Sequence, residues 1–165
     1  MAWVSGVGGR VWGEEETPRH TPPSPMALQS YRDLRVWKEA MDLAVECYAL
    51  TKGFPKEEVF GLTSQIRRAA ASVPANIAEG YGRDSAGQYV NFLRMAQGSL
   101  KELETHLLLS GRIGLIGAHP VEDLLVRSEN IGKMLRGLIR SIQRSSNPTA
   151  DARLPTADAV EGRKK

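Results

Sequence analysis

Apolar residues recur at three- and four-residue steps through four stretches of the chain, the period of a helix buried along one side. In the first stretch Leu34, Trp37, Met41, Ala44, Val45 and Tyr48 share a face, and Gly53-Phe54-Pro55 stops the pattern. The second runs from about Leu62 to Glu79 with Leu62, Ile66, Ala69, Val73 and Ile77 in phase. The third opens at Ser85, with Gln88 in position for a capping box. It carries Tyr89, Phe92, Leu93, Ala96, Leu100, Leu103 and Leu107 until Gly111 and Gly114 end it. The fourth has Pro120 in its first turn, followed by Glu122 and Asp123 where the helix dipole favours acids. Its apolar residues are Leu124, Ile131, Leu135, Leu138 and Ile142, and it finishes on Arg140 and Arg144 where the dipole favours bases. No stretch alternates with the two-residue period of a strand. Short connections make neighbouring helices antiparallel, so the pattern predicts an all-α, antiparallel up-down-up-down four-helix bundle.

The flanks differ from this middle. Residues 1–30 mix glycine, proline and an acidic triplet without periodicity and predict a disordered leader; residues 145–165 predict a disordered polar tail, leaving 31–144 as the bundle. Met26, just ahead of the first periodic segment, is an alternative translation start.

The second helical stretch contains the oddest sequence, SVPANIAEGYGR at residues 72–83. Pro74 lacks the N–H that would reach the carbonyl of Ala70, a loss of about 3 kcal/mol in an isolated helix, so packing must offset it. Ala69, Ala70, Ala71, Ala75 and Ala78 keep the surroundings small and allow close approach from more than one side. Gln65, Ser72 and Glu79, with Asn76 beside them, form a polar ridge along the apolar stripe, a pattern suited to hydrogen bonds between helices. Gly80 is expected to end the helix in a left-handed conformation, and Gly82 to let the chain reverse. Asn76, Glu79 and Arg83 read either as a structural clasp at this corner or as a ligand site. One carboxylate and one amide make no acid–base pair.

A second apolar row, Val36, Ala40, Leu43, Cys47 and Leu50, lies roughly opposite the first face of the first helix. Either a broad core covers it, or it is the interface of a homo-oligomer to which Met95 and Leu109 contribute. The fourth helix adds a basic row, Lys133, Arg136, Arg140 and Arg144, away from its apolar side. That row is either a solvated face or a contact for nucleic-acid phosphates that an oligomer would multiply.

Composition changes this picture little. At 165 residues with 41% hydrophobic and 25% charged content, the chain suits one globular domain, and a net charge of +3 permits a nucleic-acid partner without requiring one. Cys47 is the only cysteine, so there is no disulfide framework or cysteine-based metal site. The expected location is the cytoplasm: no apolar run approaches a membrane span, and no secretory signal precedes the bundle. Glu102 stands four residues before His106 rather than three, without a second copy, which argues against a di-metal bundle. Gly80-x-Gly82 follows a helix rather than a strand, and Gly132-Lys133 is followed by Met134, so neither is a nucleotide loop. No catalytic set, metal site, cofactor or small-molecule substrate is evident.

The segments YRDLRVWKEAM at 31–41, FPKEEVFGLTSQIRRAA at 54–70, SVPANIAEGYGR at 72–83 and FLRMAQGSLKELETHLLL at 92–109 resemble, in order and spacing, the four-helix bundle family of 23S rRNA intervening-sequence proteins. The isoleucine usual before Pro-Ala-Asn in that family is Val73 here. The resemblance implies a small bacterial protein without established enzymatic activity that forms a barrel-like homopentamer. A more distant likeness is to the accessory proteins of diversity-generating retroelements, which bind nucleic acid and a reverse transcriptase through a strongly basic pentamer; this chain is only mildly basic. The expectation is a non-catalytic homo-oligomer with weak, charge-driven RNA association. The alternatives are a protein-binding adaptor and a reverse-transcriptase accessory.

Overall fold

A computed structural model describes residues 29–146. The expected disorder at 1–28 and 147–165 and the alternative start at Met26 lie outside the described residues. Four helices carry the fold: α1 (Arg35–Leu50), α2 (Leu62–Tyr81), α3 (Ala86–Arg112) and α4 (Ala118–Ser146). Single 3-10 turns at Tyr31–Asp33, Thr51–Gly53 and Lys56–Glu58 lead into α1 and join it to α2. Ser30, expected in the leader, caps the first turn: its Oγ accepts from the Arg32 N–H at 3.2 Å, and Asp33 Oδ2 accepts from the Ser30 N–H at 3.0 Å. Ser145 and Ser146, expected in the tail, complete the last turn of α4.

Each helix packs on its chain neighbours, and α1 meets α4 to close the ring. Early residues of one helix meet late residues of the next, as antiparallel packing demands. Arg68 reaches Glu102 and Ser72 reaches Ser99 across α2 and α3, while Ser128 reaches Glu104 across α3 and α4. Ile66, Ile77, Leu93, Leu100, Leu103, Leu107, Ile131 and Leu135 fill the centre and are essentially inaccessible.

The structure reverses the expected faces of α1. Val36, Ala40, Leu43 and Cys47 are 5%, 1%, 1% and 0% exposed, and Leu50 packs half-buried against the core. The row expected to be an oligomer interface is therefore part of this protomer's own interior. Met41, Val45 and Tyr48, expected inside, are 38%, 62% and 45% exposed. Two apolar rows of equal period carry no signal for which one points inward; the placement of α2 and α4 around α1 decides it. Only Leu34 and Ala44 of the expected face are buried, and Trp37 is partly so.

The glycines are corrected as well. Gly80 lies inside α2, not past its end, and Gly82 closes the helix at φ −81° rather than in the left-handed region. What requires glycine at 80 is contact: a Cβ there would stand 2.7 Å from Phe92 Cβ and 2.8 Å from Tyr89 Cδ2. The left-handed turn belongs to Gly114, at φ +79° after α3. At the start of α3, Ser85 Oγ accepts from the Gln88 N–H at 3.2 Å. Pro74 is buried within α2, consistent with packing that offsets its missing hydrogen bond.

Candidate functional site

The polar ridge of α2 lies along the α2–α3 seam. Ser72 and Ser99 join their hydroxyls at 2.9 Å, and Asn76 Nδ2 donates to the Ser72 carbonyl at 2.9 Å and to its hydroxyl at 3.0 Å. Gln65 Oε1 accepts from Arg68 Nη2 at 2.8 Å, and the same nitrogen pairs with Glu102 at 2.8 Å. One turn from the end of α2, Glu79 pairs with Arg83, whose guanidinium lies 4.6 Å from the Phe92 ring centre. Asn76, Glu79 and Arg83 thus have protein partners in hand, and the geometry is that of a clasp closing α2 onto α3. Helix periodicity brings these groups to one edge; Pro74, on the other side of α2, faces α1.

Lys133, Arg136, Arg140 and Arg144 are all exposed on α4. Lys133 is held by Glu129 at 2.9 Å, and this pairing keeps the Glu129 carboxyl below its ordinary range. Arg136, Arg140 and Arg144 have no acidic partner within salt-bridge distance among the described residues. Four of the other eight described arginines do: Arg35 pairs with Glu39, Arg68 with Glu102, Arg83 with Glu79 and Arg127 with Glu46. Three uncompensated guanidiniums on one helix face are a ready contact for anionic polymers.

Between α1 and α2 the displaced face of α1 forms a shallow apolar groove of about 490 Å³, walled by Met41, Val45, Tyr48, Ala71 and Pro74. Met95 and Leu109, 49% and 44% exposed, sit on α3, which does not touch α1. The exposed apolar surface therefore lies in the α1–α2 groove, with Met95 and Leu109 standing fourteen residues apart on α3, instead of in the single α1 row the periodicity suggested.

No catalytic grouping emerges among the described residues, and no group of three or more His, Cys, Asp or Glu side chains there is placed to hold a metal ion. Burial pushes the Cys47 thiol up to about 12, which leaves it protonated and inert near neutrality. His106 lies 3.8 Å from Glu102. His119 is held by Asp123 at 2.9 Å on an exposed turn; its own backbone contact and this carboxylate raise its pKa above the usual histidine value. No described helix is long and apolar enough to cross a membrane.

A feature the sequence reading missed is a cleft where α1 ends and α2 begins. It is lined by Lys52, Lys56, Arg67 and Arg68 together with Thr63 and Ser64. Its cations come from the two turns between α1 and α2 and from α2 itself, so no single helical face displays them. The only linear trace is the clustering of basic residues with hydroxyls through 51–68.

Comparison with known proteins agrees with this architecture. Residues 32–137 match the family described as 23S rRNA-intervening sequence protein. No curated protein matches the chain. Among solved structures, a protein of unknown function from the S23 ribosomal protein family of Bacteroides thetaiotaomicron is 28% identical, with a TM-score of 0.60, and the match covers 64% of this chain and 98% of that one. These matches bring a fold and a family without a catalytic assignment. With its four antiparallel helices and the matched span covering most of them, the chain belongs to the 23S rRNA-intervening sequence protein family.

Proposed function

We propose that this protein is a non-catalytic homo-oligomer that associates with RNA by charge through the exposed face of α4. The observation that carries the reading is the set of three guanidiniums, Arg136, Arg140 and Arg144, that share one exposed face of α4 without acidic partners among the described residues. An assembly repeats that face once per copy, so weak contacts add. The apolar α1–α2 groove supports the assembly, as a surface that a second copy would cover. The ring size proposed is the pentamer implied by the family resemblance. The family's name links its members to 23S rRNA, which makes rRNA fragments the first ligands to try.

The test is a titration with rRNA fragments at rising salt. Binding that weakens linearly in log–log form is expected, and the triple variant Arg136→Ala, Arg140→Ala, Arg144→Ala should weaken binding and flatten the slope. Absence of binding at low salt, or binding indifferent to salt, overturns the reading. The α1–α2 groove also favours a second reading, an adaptor that takes an apolar helix of another protein. That reading expects a specific protein partner whose capture survives nuclease treatment.

A further inference from the structure

We propose that the cleft between the end of α1 and the start of α2 is a binding site for a phosphate monoester of the nucleoside monophosphate class. The site lies at the opposite end of the bundle from Arg140 and Arg144, and its argument does not depend on the α4 face. It has a volume of about 630 Å³, with four cations and no acid among its lining residues. Arg68 is already paired with Glu102, but Lys52, Lys56 and Arg67 have no acidic partner among the described residues. Mutually repelling cations around a cleft favour an anion over water.

The site is built rather than accidental. Arg67 is fixed from two sides: its Nε donates to Thr51 Oγ1 at 2.8 Å, and its guanidinium lies 5.1 Å from the Tyr48 ring centre. Thr51 is itself buried and donates to the Cys47 carbonyl at 2.8 Å, so the hydroxyl that positions Arg67 is anchored to α1. With Nε committed, the two terminal nitrogens remain for a ligand, in the fork that suits phosphate oxygens. Thr63 also lines the cleft; it is 6% exposed, and its Oγ1 is buried without a hydrogen-bond partner. Thr63 and Ser64 stand in the first turn of the 20-residue helix α2, whose N-terminus already holds an anion: Glu58 Oε2 accepts from the Leu62 N–H at 2.8 Å.

The donor set explains the ligand class. A guanidinium fork, two ammonium groups and the exposed Ser64 on the first turn of α2 suit a tetrahedral dianion with several acceptors better than a flat carboxylate. The cleft is larger than a bare phosphate fills, and Phe54 on its wall gives a nucleoside an aromatic surface to lie against.

Calorimetric titration of the full chain tests this with AMP, inorganic phosphate and adenosine. AMP should bind saturably and at least tenfold more tightly than adenosine, with phosphate between them. The double variant Lys52→Ala, Lys56→Ala removes two exposed side chains without acidic partners among the described residues. It should weaken AMP at least tenfold without moving the thermal midpoint. The triple arginine variant of α4 should leave AMP affinity unchanged, so failure here and failure of RNA binding read separately. A parallel pair of oligonucleotides, with and without a 5′-phosphate, distinguishes the source. Preference for the phosphorylated one, lost in the double lysine variant, assigns the site to RNA ends, and equal binding of the pair assigns it to free nucleotides. No saturable AMP binding, equal affinity for adenosine, or an unweakened double lysine variant overturns the proposal.

Discussion

Gly80→Ala sets helix propensity against packing. In a helix interior, alanine is favoured over glycine by about 1 kcal/mol, and Gly80 lies inside α2. Propensity alone therefore predicts a more stable protein. The structure predicts the reverse. The new Cβ would stand 2.7 Å from Phe92 Cβ and 2.8 Å from Tyr89 Cδ2, against the 3.5–4.0 Å or so at which carbons attract. Tyr89 can turn its ring, but Phe92 Cβ is fixed to the backbone of α3, so the two helices must separate at their most extensive contact. Overpacking of this kind costs about 1–3 kcal/mol, and a backbone-anchored clash belongs at the upper end. The net expectation is a loss of about 2 kcal/mol, a fall of roughly 6–10 °C in the midpoint for a domain of this size. Thermal unfolding followed by circular dichroism at one fixed protein concentration measures it, since an oligomer's midpoint depends on concentration. Gly137→Ala is the internal comparison: a Cβ there meets nothing within 4 Å, and the variant should gain about 1 kcal/mol. A Gly80→Ala midpoint at or above the parent's, alongside a raised Gly137→Ala midpoint, would refute the close-approach argument.

Two further predictions separate the faces and chemistry of α1. Val45→Glu, at an exposed position in the groove, should leave folding within about 0.5 kcal/mol of the parent and lower the assembled mass in light scattering; an unchanged mass rules the groove out as the contact. Leu43→Glu instead buries an unpaired carboxylate at a site 1% exposed and should cost several kcal/mol, so a stable, helical Leu43→Glu protein contradicts the observed face. Cys47 titrates at about 12 in the fold against 9.0 ordinarily, so its contribution is complete below pH 9 and lost as pH rises from there towards 12. The shift corresponds to at most about 4 kcal/mol. Cys47→Ala should show a shallower loss of stability over that window, and the native thiol should alkylate at pH 8 at least a hundredfold more slowly than the denatured one. Equal slopes or comparable labelling rates would count against burial as the cause.

How much was legible in the sequence varies with the range of the interaction that decided each feature. The polar ridge of α2 is set by local period, and its inter-helix role could be read before any neighbour was placed: Ser72 meets Ser99 across the seam, with Asn76 donating to Ser72 behind it. Gly80 was recognisable as special but for the wrong reason, because a left-handed cap and a close helix approach both select glycine and only the second names Phe92. The anionic-ligand cleft left almost no trace, since its side chains come from α1, two turns and α2, and a linear pattern shows one helix at a time.

The sequence by itself determined the class and the order of parts. Four amphipathic periods of sufficient length, separated by short breaks rich in glycine and proline, leave an antiparallel bundle as the economical way to bury four stripes. The orientation of each helix about its own axis was a tertiary decision. In α1 both rows are apolar, so burying either one yields similar free energy from α1 alone. The choice falls to the helices on either side, where Ala40 and Leu43 fit the space between α2 and α4 while Val45 and Tyr48 remain in water. That rotation places the apolar groove outside, and it sets Tyr48 over Arg67 at the mouth of the cleft.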